Sequence, residues 1–154
     1  MENEPVFTWV EDGLEAVLRE LRAREPIFHT AAFGLTAAER ERVVAPGYWE
    51  VGASGRRYSR EFILRLLEEK PPVDAAGAGW ECLDFGLRRL GAEIYLLTYT
   101  LDQAGRITRR ATVWEKTGEG WRILFHQGTV VTGADPFDSP SSRTRSGQVD
   151  PMPG

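Results

Sequence analysis

The chain has 154 residues, of which 42% are hydrophobic and 27% charged, a composition typical of one soluble globular domain. Its net charge of −4 argues against nonspecific binding to nucleic acid, and no apolar run approaches the roughly 20 residues that a membrane span needs. The N-terminus lacks the features of a signal peptide, so we expect a cytoplasmic protein. A single cysteine, Cys82, excludes an internal disulfide, and we expect neither a metal site nor a cofactor.

Apolar residues recur at helical spacing near the N-terminus. They predict an amphipathic helix over residues 10–25, which Pro26 ends. Thr36 and Glu39 have the spacing of a capping box, which predicts that a second helix begins at Thr36 and ends before Pro46.

The rest of the domain is predicted to be mostly β-structure. Residues 48–58 have the pattern of a short hairpin, and Ser59 is placed to cap a third helix over residues 60–70. Small residues at 73–79 predict a connector. Three turn signals then divide the chain into four strands near residues 80–90, 93–102, 107–116 and 121–131.

This order of elements indicates an α+β domain with a mainly antiparallel sheet. The strands are apolar on both faces, so we expect helices on one face and a partner chain on the other. We predict an N-terminal extension at residues 1–9, the domain at 10–132 and a disordered tail at 133–154, where Pro, Ser, Gly and Asp dominate.

Four segments, residues 49–56, 58–61, 109–114 and 120–129, together resemble the family called domain of unknown function 4440. That family belongs to the nuclear-transport-factor-2-like superfamily, beside polyketide cyclases, ketosteroid isomerases and scytalone dehydratase. The resemblance implies a cone-shaped, cystatin-like fold, in which a curved sheet wraps around a long helix and encloses a cavity. It also implies dimerisation through the sheet, but no activity, because the catalytic bases of the isomerases and dehydratases have no matching motif here.

The turns predict the register of the sheet. A two-residue loop at 118–119 places Trp114 opposite Ile123, Thr112 opposite Phe125 and Arg110 opposite Gln127, and it pairs Glu115 with Arg122. The loops at 104–105 and 91–92 then place Tyr99 beside Arg110 and Asp84 beside Tyr99. A slip of one residue would turn a strand over. In this register the predicted ligand pocket lies on the concave face, with Trp49 as a further wall, and consists of Tyr95, Tyr99, Arg110, Thr112, Trp114, Gln127 and Trp49.

A polar band crosses this face at Asp84, Tyr99, Arg110 and Gln127. Arg110 is suited to hold a carboxylate, and a desolvated Asp84 to act as a general base. Each of these residues also has a structural alternative. Arg110 and Asp84 could form a buried ion pair or a solvated sheet edge. Tyr99 could be a core tyrosine with a satisfied hydroxyl, and Gln127 could hold backbone amides.

The catalytic residue stays unknown, with Asp84, Glu50 and His126 as weak candidates. Glu50 either faces the cavity or hydrogen-bonds Arg56 or Tyr58. Strand alternation turns His126 outward, away from Gln127, unless a bulge near Gly128 reverses it. Glu25 and His29 have a spacing seen at metal sites, but Pro26 lies between them and no third ligand is evident.

The outer face of the sheet is predicted to form a homodimer interface through Leu96, Thr98, Ala111, Val113, Leu124 and His126. The leading hypothesis is a dimeric small-molecule-binding domain for an apolar or carboxylate-bearing ligand, with its apolar pocket on the concave face. The alternatives are an isomerase, dehydratase or cyclase with a carboxylate or histidine base, and a dimerisation module without a ligand.

Overall fold

The computed structural model describes residues 4–30, 36–70 and 74–133. Apart from residue 133, the predicted disordered tail lies outside these ranges, as do residues 1–3 of the predicted extension. The elements in chain order are α1 (Glu15–Arg22), α2 (Ala37–Val43), β1 (Val44–Val51), β2 (Arg57–Ser59), α3 (Arg60–Glu69), α4 (Ala75–Ala78), β3 (Glu81–Gly91), β4 (Ile94–Gln103), β5 (Arg106–Thr117) and β6 (Gly120–Val130).

The strands form one six-stranded sheet in the order β2-β1-β6-β5-β4-β3. Only β1 and β6 run parallel within it, and every other neighbouring pair is antiparallel. The predicted α+β fold with a mainly antiparallel sheet is therefore confirmed, as are the four predicted strands to within a few residues. Ala104 and Gly105 form the predicted turn with φ of 55° and 96°, the left-handed backbone that tight hairpins require.

The first helix is shorter than predicted because the chain before it joins the sheet. Val10 forms a parallel bridge with Leu87 of β3, and the Glu11 amide donates to the Leu87 carbonyl at 3.0 Å. The chain turns at Gly13, where φ is +85°, and α1 begins at Glu15. The apolar residues at helical spacing therefore belong to two elements, the bridge from Val10 to β3 and helix α1.

The predicted caps of α2 and α3 are confirmed. The Thr36 hydroxyl accepts from the Glu39 amide at 3.1 Å, and the Glu39 carboxylate accepts from the Thr36 amide at 3.2 Å. The Ser59 hydroxyl accepts from the Phe62 amide. Within the predicted connector, Asp74 caps the single turn of α4, where the prediction gave no helix.

Helix α1 and the segment after it pack on the concave face of the sheet. The core there includes Leu21 from α1, Ile27 from the following segment, and Leu97, Trp114 and Ile123 from the central strands, all fully buried. This face is the one that the alternation in β4 and β5 predicted to be covered.

Two β-bulges change which side chains reach this face. In β6, Ile123 pairs with Trp114 and Phe125 with Val113, so Leu124 is an extra residue. In β3, Leu83 pairs with Thr100 and Gly86 with Thr98, so two residues, Asp84 and Phe85, lie opposite one residue of β4. Beyond each bulge the strand alternation is reversed.

Candidate functional site

The bulge at Leu124 turns His126 inward and Gln127 outward, the reverse of the expected orientation. Thr112 pairs with His126 instead of Phe125, and Arg110 pairs with Gly128 instead of Gln127. His126 is fully buried, whereas Gln127 is exposed. The expectation that His126 contributes to an outer interface is therefore wrong, and so is the expectation that Gln127 lines the concave face. The bulge lies two residues before His126, not near Gly128.

Asp84 also lies on the outer face, because the bulge in β3 gives it φ of +57°. Its carboxylate is 4.0 Å from Arg109. Phe85 turns inward in its place and stacks on Tyr99 at 5.2 Å between ring centroids. The predicted polar band is thus divided, with Tyr99 and Arg110 inside and Asp84 and Gln127 outside.

Trp49 is the other predicted pocket residue that lies outside. It is 45% exposed and contacts the Phe125 ring edge-to-face at 4.9 Å. Its neighbours in β1, Tyr48 and Glu50, are buried. Strand alternation explains the difference, since residues on either side of an outward residue point inward.

The remaining predicted pocket residues, Tyr95, Tyr99, Arg110, Thr112 and Trp114, are all buried on the concave face. The registers of Tyr99 with Arg110, Trp114 with Ile123 and Glu115 with Arg122 are as predicted. Tyr95 lies at the edge of the group, where its hydroxyl accepts from Arg89 at 2.9 Å.

Glu25, in the segment after α1, is the centre of the buried polar cluster. Its carboxylate accepts from the Tyr99 hydroxyl at 2.5 Å and from the Trp114 indole at 3.1 Å. The Thr112 side chain lies near this carboxylate. Burial raises the pKa of Glu25 to about 7, although Tyr99, Thr112, Trp114 and the nearby Arg110 charge counteract that rise.

Glu50 is the second buried carboxyl group of this cluster. It is directed inward from β1, and the Tyr48 hydroxyl donates to one of its oxygens at 3.3 Å. Its Oε2 atom is buried without a hydrogen-bond partner among the described residues. Burial raises the pKa of Glu50 to about 7, opposed by Tyr48 and the Arg110 charge. The structural alternative for Glu50, a bond to Arg56 or Tyr58, does not form; its partner is Tyr48.

His126 lies between the strands that carry Glu50 and Arg110. Its Nδ1 is 2.7 Å from the Thr112 hydroxyl oxygen, and its Nε2 is 3.4 Å from Arg110 Nη1. Because Arg110 can only donate, Nε2 must accept from it, and the protonated Nδ1 therefore donates to the Thr112 oxygen. Burial, and secondarily the Arg110 charge, lower the pKa of His126 well below its usual value, so the imidazole is neutral.

Arg110 is the cation of the cluster. Its Nε donates to the Thr108 hydroxyl at 2.9 Å and its Nη1 to His126, while Nη2 is buried without a partner in the described structure. Arg110 is 4% exposed and Glu50 is fully buried. Buried polar atoms are nearly always hydrogen-bonded, so Arg110 Nη2 and Glu50 Oε2 are the atoms of this cluster whose hydrogen-bonding capacity is unused in the described structure.

A groove of about 680 Å³ lies on the outer face of the sheet, and its lining also includes Tyr99 and Arg110. The N-terminal residues 4–7 form one wall, held by an ion pair of 3.0 Å between Glu4 and Arg109, and its floor includes Thr98, Ala111 and Gln127. The other residues predicted for the outer interface, Leu96, Val113 and Leu124, are half-buried. The outer interface, without His126, stays a prediction.

The reactivity of Cys82 and the distribution of metal-ligating side chains also limit the chemistry of the protein. The half-buried Cys82 has its pKa raised to about 11 by burial, which makes its thiol a poor nucleophile. Within the described ranges, no three His, Cys, Asp or Glu side chains converge as metal ligands would, and none of the helices there has the length and apolar character of a membrane span.

Glu25 belongs to the buried cluster, although the sequence patterns did not predict it there. Glu25 is the first residue of a run, residues 25–28, in which all four side chains are buried. A carboxylate followed directly by three apolar residues was the available signal, since such a group is buried only when hydrogen-bonded or neutral.

No protein-family model and no curated protein matches the chain. Solved structures do match. A nuclear-transport-factor-2-like protein from Cytophaga hutchinsonii is 10% identical with a TM-score of 0.56, and the match covers 79% of this chain and 100% of that one. The chain has the nuclear-transport-factor-2-like fold.

Two other structures show the same fold. A cystatin-like fold protein from Burkholderia xenovorans is 12% identical with a TM-score of 0.57, over 77% of this chain and 91% of that one. A putative Ca/calmodulin-dependent kinase II association domain from Exiguobacterium sibiricum is 12% identical with a TM-score of 0.53, over 80% and 98%. The fold implied by the sequence resemblance is thus confirmed, whereas the narrower family, domain of unknown function 4440, is not.

Proposed function

We propose that the concave face of the sheet binds a small molecule at Arg110 and Glu50. The observation that carries this proposal is the pair of unpartnered polar atoms, Arg110 Nη2 and Glu50 Oε2, on side chains that are otherwise buried and held in place in the described structure. An unmade hydrogen bond on a buried group costs about 1–3 kcal/mol, so a ligand that supplies both partners gains that stabilisation. The aromatic and aliphatic side chains of the neighbouring core suit an apolar body with one polar group, such as a small apolar or carboxylate-bearing ligand.

A thermal-shift screen of a metabolite library tests this function. Hits on the wild type should disappear in Arg110→Ala and persist in Arg109→Ala, the matched control whose side chain points to the outer face. Hits that survive in Arg110→Ala, or an absence of hits on the wild type, would contradict the proposal.

The second candidate is an enzyme that transfers a proton next to a carbonyl group, as an isomerase, dehydratase or cyclase does. It is favoured by two buried carboxyl groups, Glu25 and Glu50, whose pKa values are raised to about 7, because a base works best when its pKa is near the working pH. Exchange of carbonyl-adjacent protons with D₂O, followed by NMR on a panel of ketones, should occur with wild type and be lost in Glu50→Gln. No exchange with the wild type would argue against this activity.

We also propose a homodimer through the outer face at Leu96, Thr98, Ala111, Val113 and Leu124. Half-buried apolar residues there and the association domain of Exiguobacterium sibiricum with the same fold support it. Light scattering should give a dimer for the wild type and for Leu90→Glu, an exposed control site on β3, but a monomer for Val113→Glu. A wild-type monomer would refute the dimer, whereas a dimer without any ligand would favour the third candidate, a pure dimerisation module.

Three broader assignments stay predictions. The first is membership of the domain of unknown function 4440 family, which the four sequence segments support. The second is the domain limits of 10–132, and the third is a cytoplasmic location.

A further inference from the structure

We propose that the concave site binds a monocarboxylate together with one proton, which Glu50 takes up as the ligand enters. This inference rests on the proposed binding function and adds the class of ligand and the way in which pH controls it. It depends on how charges and hydrogen bonds are distributed in the buried cluster.

Charge is the first consideration. The titratable and charged groups around Glu50 in the described structure are Tyr48, Arg110, Tyr58 opposite it in β2 and His126 opposite it in β6, and Glu25 lies near Tyr48. Helix α3 contributes apolar side chains to the core on this side. With the imidazole neutral, one cation serves two carboxyl groups. The cluster cannot hold both of them ionised without one uncompensated buried charge.

Hydrogen bonding decides which carboxyl group holds the proton. Glu25 accepts two hydrogen bonds, one on each carboxylate oxygen, and these favour its ionised form. Glu50 accepts one long hydrogen bond, and its Oε2 has no partner in the described part of the chain. The exchangeable proton therefore belongs on Glu50, and the bare Oε2 is where it is carried.

A carboxylate ligand completes this arrangement. One of its oxygens accepts from Arg110 Nη2–H, the free donor of a guanidinium that otherwise bonds Thr108 and His126. The ligand adds a third acidic group around one cation, so an ionised Glu50 binds a proton from solvent. Its Oε2–H then donates to the ligand. A single proton moves, from solvent to Glu50, and no other bond forms or breaks.

The pH dependence follows with a definite sign. Below about pH 7 Glu50 is already protonated, so the affinity for a carboxylate is level and binding takes up no proton. Above about pH 7 each binding event must bring one proton, so the affinity falls up to tenfold for each pH unit. Simple carboxylates, with pKa values of roughly 4, stay ionised throughout this range.

Calorimetry with acetate and benzoate, in buffers of different ionisation enthalpy, tests the proposal, with acetamide and benzamide as neutral probes of the same shape. For wild type at pH 8 we expect one of the carboxylates to bind with uptake of close to one proton, and its amide to bind at least tenfold more weakly. In Glu50→Gln, whose amide is a permanent donor, uptake should vanish and carboxylate affinity should no longer change with pH. Glu68→Gln, at an exposed site on α3, should behave as the wild type.

Equal binding of carboxylate and amide, uptake that persists in Glu50→Gln, uptake lost only in Glu25→Gln, or no binding of either carboxylate would each overturn the proposal. The proposed binding function is separable from it. Neutral library hits that depend on Arg110 would leave that function standing while the proton-coupled carboxylate site fell.

Discussion

Replacing Glu50 with glutamine should stabilise the protein above about pH 4.5, and most at neutral and alkaline pH. The carboxyl group is fully buried, and burial raises its pKa from 4.5 to about 7. Each tenfold change in proton affinity corresponds to about 1.4 kcal/mol. The raised pKa therefore implies that ionising Glu50 costs the native state ~3 kcal/mol relative to the unfolded chain.

The sign follows from which state is protonated. Below about pH 4.5 both the native and unfolded states carry the proton, so wild type and Glu50→Gln should have the same pH dependence. Between pH 4.5 and about 7 the unfolded chain ionises and the native state does not, so wild type loses stability progressively. Above about pH 7 the loss is complete, and Glu50→Gln should be more stable by ~3 kcal/mol.

Urea unfolding followed by tryptophan fluorescence at pH 4 and pH 8 measures this difference. The control is Glu68→Gln, which removes an exposed carboxyl group and should leave the pH dependence of wild type unchanged. A Glu50→Gln advantage that is equal at both pH values, or that is absent at pH 8, would refute the assignment of a buried, proton-binding Glu50.

Two other substitutions test contacts of the same face and of its edge. Tyr99→Phe removes the 2.5 Å hydrogen bond to Glu25, so the pKa of Glu25 should rise further. The free energy of unfolding should fall by roughly 1.5–3 kcal/mol at pH 8 but little at pH 5. Urea unfolding at the two pH values checks this, and an equal loss at both would contradict it. Gly86→Ala would place a Cβ 2.8 Å from Thr98 Oγ1 and 3.2 Å from the Trp9 carbonyl oxygen, which should destabilise by about 1–3 kcal/mol. The control Gly118→Ala meets no atom within 4 Å, and equal thermal stability of the two variants would show that the first residues do not pack against β3 as described.

The strands were predictable because their limits depend on local turn chemistry. Pairings next to a turn, such as Glu115 with Arg122, follow from the length of the loop. The third helix was equally local, since Ser59 caps it through its own hydroxyl.

The faces of the sheet beyond the bulges were not predictable. An extra residue at Leu124 has no signature in composition or alternation, yet it exchanges the roles of His126 and Gln127. The bulge at Asp84 does the same in β3. Side-chain direction has a period of two residues, so one uncounted residue reverses every position after it.

The role of Glu25 could not be derived from sequence spacing either. Its partners, Tyr99 and Trp114, are 74 and 89 residues away along the chain. They meet it only because α1 lies across the concave face and the following segment descends into it. Of the two catalytic candidates that the sequence allowed on the concave side, Asp84 and Glu50, Glu50 lies there because alternation in β1 directs it inward, whereas the bulge in β3 turns Asp84 outward.

The most direct test of the site is a ¹³C NMR titration of the side-chain carboxyl resonances of glutamate. We predict two groups that titrate near pH 7, one of them absent in Glu25→Gln and the other in Glu50→Gln. If every glutamate titrates near its ordinary pKa of 4.5, the buried acid cluster does not exist as described, and the proposed ligand site falls with it.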